Sequence, residues 1–269
     1  MHETIGFIGG GNMATAIISG LVQKSVYQPQ QIYVGEISEE RRKFLSTELG
    51  VRITGDNAKV IEESSGLVLA IKPQGLADLS KEVANLFPSE VPVVSILAGV
   101  TVSKLSESLN GQKRIVRTMP NLPALVGKGV AGIAEHPSCS EEDLRFAEKL
   151  LGAVGETVRV QEELMDTVTA VSGSGPGYVF RIADLMIQAG QDAGLTQAQA
   201  ASLVSQTFYG ASELLSSSEE SAAELCRKVC SPGGTTLAGL EAMMANGLEK
   251  AIEAGVMAAR DRSKELSGN

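Results

Sequence analysis

A glycine-rich turn close to the N-terminus constrains the fold of this chain more than any other feature. Gly9, Gly11 and Ala14 form the pattern G-x-G-x-x-A, which directly follows a β-type run over residues 4–8 and opens a helical run over residues 13–22. Glycines at such a junction allow a tight turn and let the backbone approach a pyrophosphate, which the helix N-terminus then stabilises. The pattern therefore indicates a strand–turn–helix unit that binds a dinucleotide. The alternative is a glycine turn that only packs the helix on the sheet.

The same alternation of strand and helix continues over the first 160 residues. Polar or amphipathic helical segments separate most of the β-type runs, which implies crossovers onto a mostly parallel, doubly wound sheet with helices on both faces. Ligands of such sheets bind at the carboxyl ends of the strands. The predicted strands are residues 4–8, 31–34, 66–71, 91–97, 114–117, 129–134 and 157–160.

The last part of the chain, residues 161–269, has a different composition. It is rich in Ala, Leu, Met and Gln, and it contains hardly a β-branched run. Apolar residues recur there at helical spacing, for example at Val179, Ile182 and Met186. We therefore predict an α/β domain over residues 1–160, followed by an all-helical domain.

Charge and cysteine content restrict the class of partner. With 23 basic and 32 acidic residues the net charge is −9, which argues against nucleic acid or an acidic membrane surface, because both require clustered Lys and Arg. No run approaches the length of about 18 apolar residues that a membrane span needs, and no signal-peptide pattern is present. The cysteines Cys139, Cys226 and Cys230 fit a reducing cytoplasm. With His2 and His136 as the only histidines, we predict no metal site.

Further residues at predicted strand ends point to the same dinucleotide crevice. Glu36 follows the second strand, where an acidic side chain accepts hydrogen bonds from the ribose 2′-hydroxyl of NAD and repels a 2′-phosphate. Arg41 and Arg42 lie close enough to receive that phosphate instead, or they form a solvated helix face. The carboxylate of Glu36 therefore favours NADH modestly over NADPH. Residues 70–73 and 95–100 end two further strands and would border the same site.

A second glycine motif, S-P-G-G-T-T, begins at Ser231 within the helical part. A proline and two glycines at a helix start leave backbone N–H groups open to an anion, without Cβ atoms in the way, and the hydroxyls of Thr235 and Thr236 stand beside them. The alternative is an ordinary N-cap at Ser231 or Thr235 with a flexible approach. The dinucleotide fold earlier in the chain favours the anion site.

Five motifs follow one another along the chain: G-F-I-G-G-G-N-M-A from Gly6, A-I-K-P-Q from Ala70, R-T-M-P-N from Arg117, S-G-S-G-P from Ser172 and S-P-G-G-T-T from Ser231. In this order they resemble those of the pyrroline-5-carboxylate reductase family, and the resemblance runs essentially end to end. It implies a Rossmann-type domain over residues 1–160 and a helical dimerisation and substrate domain over residues 161–269. It also implies the last step of proline biosynthesis, the reduction of 1-pyrroline-5-carboxylate to L-proline by NADPH or NADH, in a homodimer that often assembles into a decamer.

The glycine motifs and the resemblance together predict two sets of site residues. The predicted cofactor contacts are Ile8, Gly9, Gly10, Gly11, Asn12, Met13, Glu36, Asn57, Ala70, Ile71, Lys72, Pro73, Leu97 and Ala98. The predicted substrate contacts are Glu162, Lys228, Ser231, Gly233, Gly234, Thr235 and Thr236.

Some of these residues carry alternatives or depart from the family pattern. Lys72 alone would more often be a surface charge, and Lys228 stands where the family has a neutral polar residue. Ile37 and Ser38 replace an Asn-Arg pair of many NADPH-using relatives, which weakens any NADPH preference. Glu219 matches an acid that the family places near the active site, the alternative being a solvated acid between helices.

Imine reduction needs a hydride donor and a proton on nitrogen but no covalent nucleophile, and the difficult step belongs to the nicotinamide. We predict that the N–H groups of Gly233, Gly234 and Thr235 hold the substrate carboxylate. Thr236 then acts as the catalytic residue by hydrogen-bonding the ring nitrogen. Two rivals stay open, a relative of the β-hydroxyacid dehydrogenases and a dinucleotide sensor without turnover.

Overall fold

The computed structural model describes residues 3–267. Contacts between residues divide the chain into two compact units. The first unit covers the described residues up to Ser174 and from Ala259 onward, and the second covers Gly175–Ala258.

The first unit is built on one eight-stranded sheet. Its strands are β1 (Ile5–Ile8), β2 (Ile32–Gly35), β3 (Arg52–Thr54), β4 (Gly66–Leu69), β5 (Val93–Ser95), β6 (Ile115–Met119), β7 (Gly129–Glu135) and β8 (Gly155–Gln161). They lie in the order β3-β2-β1-β4-β5-β6-β7-β8, and every neighbouring pair is parallel except β6 with β7. The first six strands have the order of a doubly wound dinucleotide-binding sheet. The predicted, mostly parallel sheet is confirmed.

The described residues form twelve α-helices, seven of them up to Val168 and five after it. The first seven are α1 (Asn12–Gln23), α2 (Glu39–Leu49), α3 (Asn57–Glu63), α4 (Leu76–Val83), α5 (Val102–Ser108), α6 (Glu141–Leu151) and α7 (Met165–Val168). The others are α8 (Gly175–Asp192), α9 (Gln197–Ser217), α10 (Ala222–Val229), α11 (Thr235–Ala245) and α12 (Leu248–Ser267). No strand follows β8 in the described residues, so the helical character predicted for the last part is confirmed.

Two apolar cores cover the two faces of the sheet. Phe7 and Ile8 are neighbours in β1 and both are fully buried, but they belong to different cores because successive strand residues point to opposite faces. The first core includes Ile17 of α1 and Phe146 of α6, and the second includes Leu105 of α5. Burial of each such side chain stabilises the fold by about 1.5–3 kcal/mol. The helices therefore lie on both faces, as predicted.

The first compact unit reaches beyond the domain boundary predicted after residue 160. After β8 the chain forms α7, which contacts β6 and β7, and then a π-helical turn over Thr169–Gly173. The division by contacts falls after this turn. The boundary after residue 160, which is drawn from composition, stays a prediction.

The second unit buries few of its own apolar side chains. Gly190 lets α8 approach α9 closely, since a Cβ there would lie 3.3 Å from the Cβ of Ala200. However, no residue of α8, α10 or α11 is buried. Phe180 of α8 is 59% exposed and Leu203 of α9 is 58% exposed. No helix in the described part of the chain combines the length and the apolar character that crossing a membrane requires.

Candidate active site

The glycine turn between β1 and α1 has the backbone that the sequence predicted. Gly9 has a φ of 101°, and a Cβ there would lie 2.7 Å from the carbonyl oxygen of Ala70, so only glycine fits. Gly11 is the N-cap of α1 and provides no side-chain cap, and a Cβ at Gly11 would meet no atom within 4 Å. Asn12 and Met13 begin the helix. The helix start is thus accessible to an anion, as a pyrophosphate site requires.

Glu36 follows the end of β2 and lies directly beside this turn. Its Oε2 accepts a hydrogen bond from the backbone N–H of Gly10 at 2.8 Å, and its Oε1 accepts one from the N–H of Ser38 at 2.8 Å. A carboxylate has about four acceptor positions, so both oxygens keep capacity for a ribose hydroxyl. Glu36 therefore lies beside the glycine turn with acceptor capacity left, and its contact with the ribose stays a prediction.

Two arginines of α2 join the same cluster. Nη2 of Arg41 donates to the carbonyl oxygen of Gly10 at 2.7 Å and to Oγ1 of Thr15 at 2.8 Å. Nη1 of Arg42 donates to the carbonyl oxygens of Glu36 and Ile37, each at 2.8 Å. Neither arginine belongs to a freely solvated helix face. The carboxylate of Glu36 and the guanidinium groups of Arg41 and Arg42 thus lie side by side at the glycine turn. The preference for NADH over NADPH stays a prediction.

The other predicted cofactor residues differ in the atoms that they present. Ile8 and Leu97 have fully buried side chains, so only their backbone atoms can border a ligand. Asn57, which is 8% exposed, begins α3. Lys72 is exposed just before a short 3-10 turn, Pro73–Gly75, as a surface charge would be.

A cleft of about 1230 Å³ lies in the first unit at the carboxyl ends of β4 and β5. Two predicted cofactor residues, Pro73 and Ala98, line it, and Ile71 and Ala70 precede Pro73 in the chain. Further lining residues are Gly99, Thr101, Thr169 and Ser263. A pocket at this end of a doubly wound sheet is the expected place for a ligand.

The S-P-G-G-T-T motif forms the start of α11 in the second unit. The N–H of Gly234 donates to the carbonyl oxygen of Ser231 at 2.9 Å and closes a tight turn, in which Gly233 has a φ of 71°. Gly234, not Ser231 or Thr235, is the N-cap, and no side chain caps the helix. The ordinary N-cap alternative is therefore wrong. The first N–H groups of α11, beginning with Thr235, can face an anion.

Lys228 lies one turn before this motif, near the end of α10. Its Nζ donates to Oε2 of Glu220 at 2.6 Å, and both side chains are partly exposed. The neighbouring Glu219 is exposed. The charge of Lys228 is thus balanced locally, and its contact with substrate stays a prediction.

The thiol of Cys230 lies directly beside the motif. Desolvation raises the pKa of the Cys230 thiol above its ordinary value, and the adjacent Cys226 thiol raises it further. The Cys230 thiol is therefore protonated at neutral pH. Within residues 3–267 no group of three or more His, Cys, Asp or Glu side chains is arranged to hold a metal ion. His2 lies outside the described residues.

Glu162 belongs to the first unit, unlike the other predicted substrate contacts. Its Oε1 accepts a hydrogen bond from the N–H of Val102 at 2.7 Å and lies 3.4 Å from Nη1 of Arg117. Asp166 and Ser263 complete this buried cluster, which sequence reasoning missed. The only sequence signal was an arginine within the otherwise apolar or neutral run of β6.

Comparison with known proteins identifies the family. Residues 162–266 match a family model described as pyrroline-5-carboxylate reductase dimerisation, and residues 4–99 match one described as NADP oxidoreductase, coenzyme F420-dependent. The pyrroline-5-carboxylate reductase of Synechocystis is 41% identical over 99% of both chains, and that of Methanosarcina acetivorans is 37% identical over 98% of both. The chain belongs to the pyrroline-5-carboxylate reductase family.

Solved structures of the family agree with the whole fold. A pyrroline-5-carboxylate reductase from Coxiella burnetii superposes with a TM-score of 0.92 at 34% identity and covers 98% of both chains. The Plasmodium falciparum pyrroline carboxylate reductase, solved with NADP bound, gives a TM-score of 0.86 at 26% identity and also covers 98% of both chains. Membership confirms the predicted activity, the reduction of 1-pyrroline-5-carboxylate to L-proline with NADPH or NADH.

Proposed function

We propose that the start of α11 binds and activates the substrate in this reaction. The N–H groups of Gly233 and Thr235 hold the carboxylate of 1-pyrroline-5-carboxylate, whereas the predicted contribution of the Gly234 N–H is wrong because that N–H already donates to Ser231. The Thr236 hydroxyl hydrogen-bonds the ring nitrogen and stabilises the protonated imine. The observation that supports this most is the uncapped helix start at Gly234, shaped by the turn to Ser231. NAD(P)H supplies the hydride when bound. The residues of this chain would then act mostly by orienting the imine toward the bound cofactor.

The activity is tested by following the absorbance of NADH and of NADPH with 1-pyrroline-5-carboxylate as substrate. We expect oxidation that depends on the imine, with release of L-proline. A protein that binds the cofactor but oxidises none of it would be a sensor. Turnover of a β-hydroxyacid alone would indicate the dehydrogenase rival.

We infer that the protein is a homodimer formed through the second unit. The apolar side chains of α8 stay exposed in a single chain, with Phe180 at 59%, Leu185 at 47% and Val179 at 46%. Monomeric proteins rarely leave such contiguous apolar surface uncovered, and the matched dimerisation model spans these helices. Assembly of dimers into a decamer rests on the resemblance alone. A cytoplasmic location, predicted from the few cysteines, also stays a prediction.

Replacing Phe180 with aspartate is expected to convert the dimer to a monomer and to lower kcat/KM, because a charge in an apolar interface must be desolvated without a partner. Light scattering after gel filtration measures the mass. The control is Leu86→Asp in the first unit, at a side chain of similar exposure, 47%. A Phe180→Asp protein that keeps the wild-type mass would contradict this interface.

Replacing Glu36 with glutamine is expected to shift cofactor preference toward NADPH, because the carboxylate beside the glycine turn repels a 2′-phosphate. The ratio of kcat/KM for NADPH to that for NADH should rise about tenfold, which corresponds to about 1.4 kcal/mol. For the wild type we expect a modest preference for NADH. Glu39→Gln, in the exposed first turn of α2, is the control. A wild type that prefers NADPH by tenfold would show that Arg41 and Arg42 outweigh the acid.

A further inference from the structure

A buried arginine connects remote segments of the first unit. Arg117, in β6, is 3% exposed, and its guanidinium lies 3.4 Å from Oε1 of Glu162 and 3.8 Å from Oδ1 of Asp166. Both carboxylates are themselves largely buried, with side-chain exposures of 14% and 8%. A buried charge is tolerated only when it is paired and hydrogen-bonded, so Arg117 depends on these two carboxylates.

Glu162 also contacts the start of α5. Its Oε1 accepts the N–H of Val102, the first residue of α5, at 2.7 Å. That N–H has no partner inside the helix, because the first N–H groups of a helix never do. Ala98 and Gly99, which Val100 and Thr101 separate from Val102, form the turn at the carboxyl end of β5, and both line the cleft. The Glu162–Val102 bond therefore anchors one end of this turn.

The same cluster also contacts α12, which borders the Ala98–Gly99 turn on its other side. Oδ1 of Asp166 accepts a hydrogen bond at 2.7 Å from the hydroxyl of Ser263, which is 5% exposed. One turn further along α12, Leu266 approaches Gly99, where an added Cβ would lie 3.7 Å from it. Gly99 itself has a φ of 70°, which suits glycine alone. The two acids beside Arg117 thus bond segments on both sides of the Ala98–Gly99 turn, Glu162 at the start of α5 and Asp166 on α12.

We propose that Glu162, held by Arg117, is a positioning residue that sets the Ala98–Gly99 turn in the cleft where the cofactor would bind. This inference rests on the proposed cofactor site at the carboxyl ends of the strands. The positioning contact uses Oε1, which accepts from Val102 and Arg117, while Oε2 lies 3.8 Å from Nε2 of His136. The contact with substrate that the resemblance implied for Glu162 stays a prediction.

The substitution Val102→Pro tests the hydrogen bond from Val102 to Glu162 and leaves every charged side chain unchanged. Val102→Pro removes the N–H that Glu162 accepts and exchanges the buried valine side chain for the proline ring, which is well suited to the first position of a helix. Thr101 before it has φ −73° and ψ 158°, the conformation that a residue before proline adopts. Val102→Ala is the matched control, because it also shortens a buried side chain but keeps the N–H.

Binding of NADH and NADPH to the free enzyme is measured by fluorescence titration, together with kcat and KM for 1-pyrroline-5-carboxylate. For Val102→Pro we expect cofactor affinity and kcat to fall by about tenfold relative to Val102→Ala, because small displacements of a positioning element have large effects on rate. KM for 1-pyrroline-5-carboxylate should stay within about twofold of the control, as for a residue that does not touch substrate. Glu162→Gln, which keeps an acceptor oxygen but loses the charge, should show a smaller effect of the same kind than Glu162→Ala.

Two outcomes would overturn the proposal. The first is equal cofactor affinity and kcat in Val102→Pro and Val102→Ala. The second is a Glu162→Gln protein with raised KM for 1-pyrroline-5-carboxylate and unchanged cofactor binding, which would return Glu162 to substrate contact. Should Glu162→Ala fail to fold, the Val102 pair still decides. Since cofactor binding is measured without substrate, a wild type that does not reduce 1-pyrroline-5-carboxylate would refute the proposed function and leave this test intact.

Discussion

Thr236→Ala is expected to lower kcat/KM for 1-pyrroline-5-carboxylate by about 10²-fold, the scale of one oriented hydrogen bond that assists proton transfer in the transition state. Thr236 is the second residue of α11, next to the uncapped helix start that is proposed to hold the carboxylate. Its side chain is exposed, so the substitution should change the free energy of unfolding by no more than about 0.5 kcal/mol. The loss should therefore appear in initial rates and not in thermal unfolding.

Thr236→Ser is the control for this prediction, because it keeps the hydroxyl and removes only a methyl group. We expect its kcat/KM to lie much closer to that of the wild type than to that of the alanine variant. Affinity for NADH and NADPH should be equal in all three proteins. Near-normal turnover by Thr236→Ala would remove Thr236 from the mechanism and leave the substrate held by backbone N–H groups alone.

Gly11→Ala is expected to weaken cofactor binding while the protein stays folded. A Cβ at Gly11 meets no atom within 4 Å, and its φ of −67° suits alanine, so the free energy of unfolding should fall by less than about 1 kcal/mol. The added methyl group would, however, stand where a pyrophosphate must approach the backbone. We expect Kd for NADH and NADPH to rise by at least about tenfold, equivalent to about 1.4 kcal/mol.

Gly9→Ala provides the contrast, since there the fold itself requires glycine. Its φ of 101° and the carbonyl oxygen of Ala70 at 2.7 Å predict a loss of stability of about 1–3 kcal/mol. Urea unfolding measures stability, and fluorescence titration measures binding. If Gly11→Ala bound both cofactors like the wild type, the turn would serve only to pack α1 on the sheet.

Much of the first unit could be predicted from the sequence, but β3 could not. Arg52, Ile53 and Thr54 make a strand of three partly exposed residues with a single apolar side chain. They form a strand because they pair with β2, and that pairing has no local signal. The antiparallel pairing of β6 with β7 likewise depends on where the chain returns to the sheet and not on the residues of either strand.

The candidate site shows the same division. Gly9 and Gly233 could be identified because a positive φ is a local requirement that glycine alone meets at low cost. The partners of Glu162 could not be identified, because Arg117 and Val102 lie 45 and 60 residues away in the chain. Sequence comparison with the family instead suggested a contact with substrate for this residue.

By itself the sequence determined the family, the strand–helix alternation and the two glycine motifs, because each depends on local backbone conformation or on the periodicity of apolar residues. Only the tertiary structure decided which charges meet. It placed the carboxylate of Glu36 on the N–H of Gly10 and the guanidinium of Arg41 on the adjoining carbonyl, and it enclosed Arg117 between two acids. A buried or half-buried charge takes the partner that the packed strands and helices bring within reach, and that choice is absent from any short stretch of sequence.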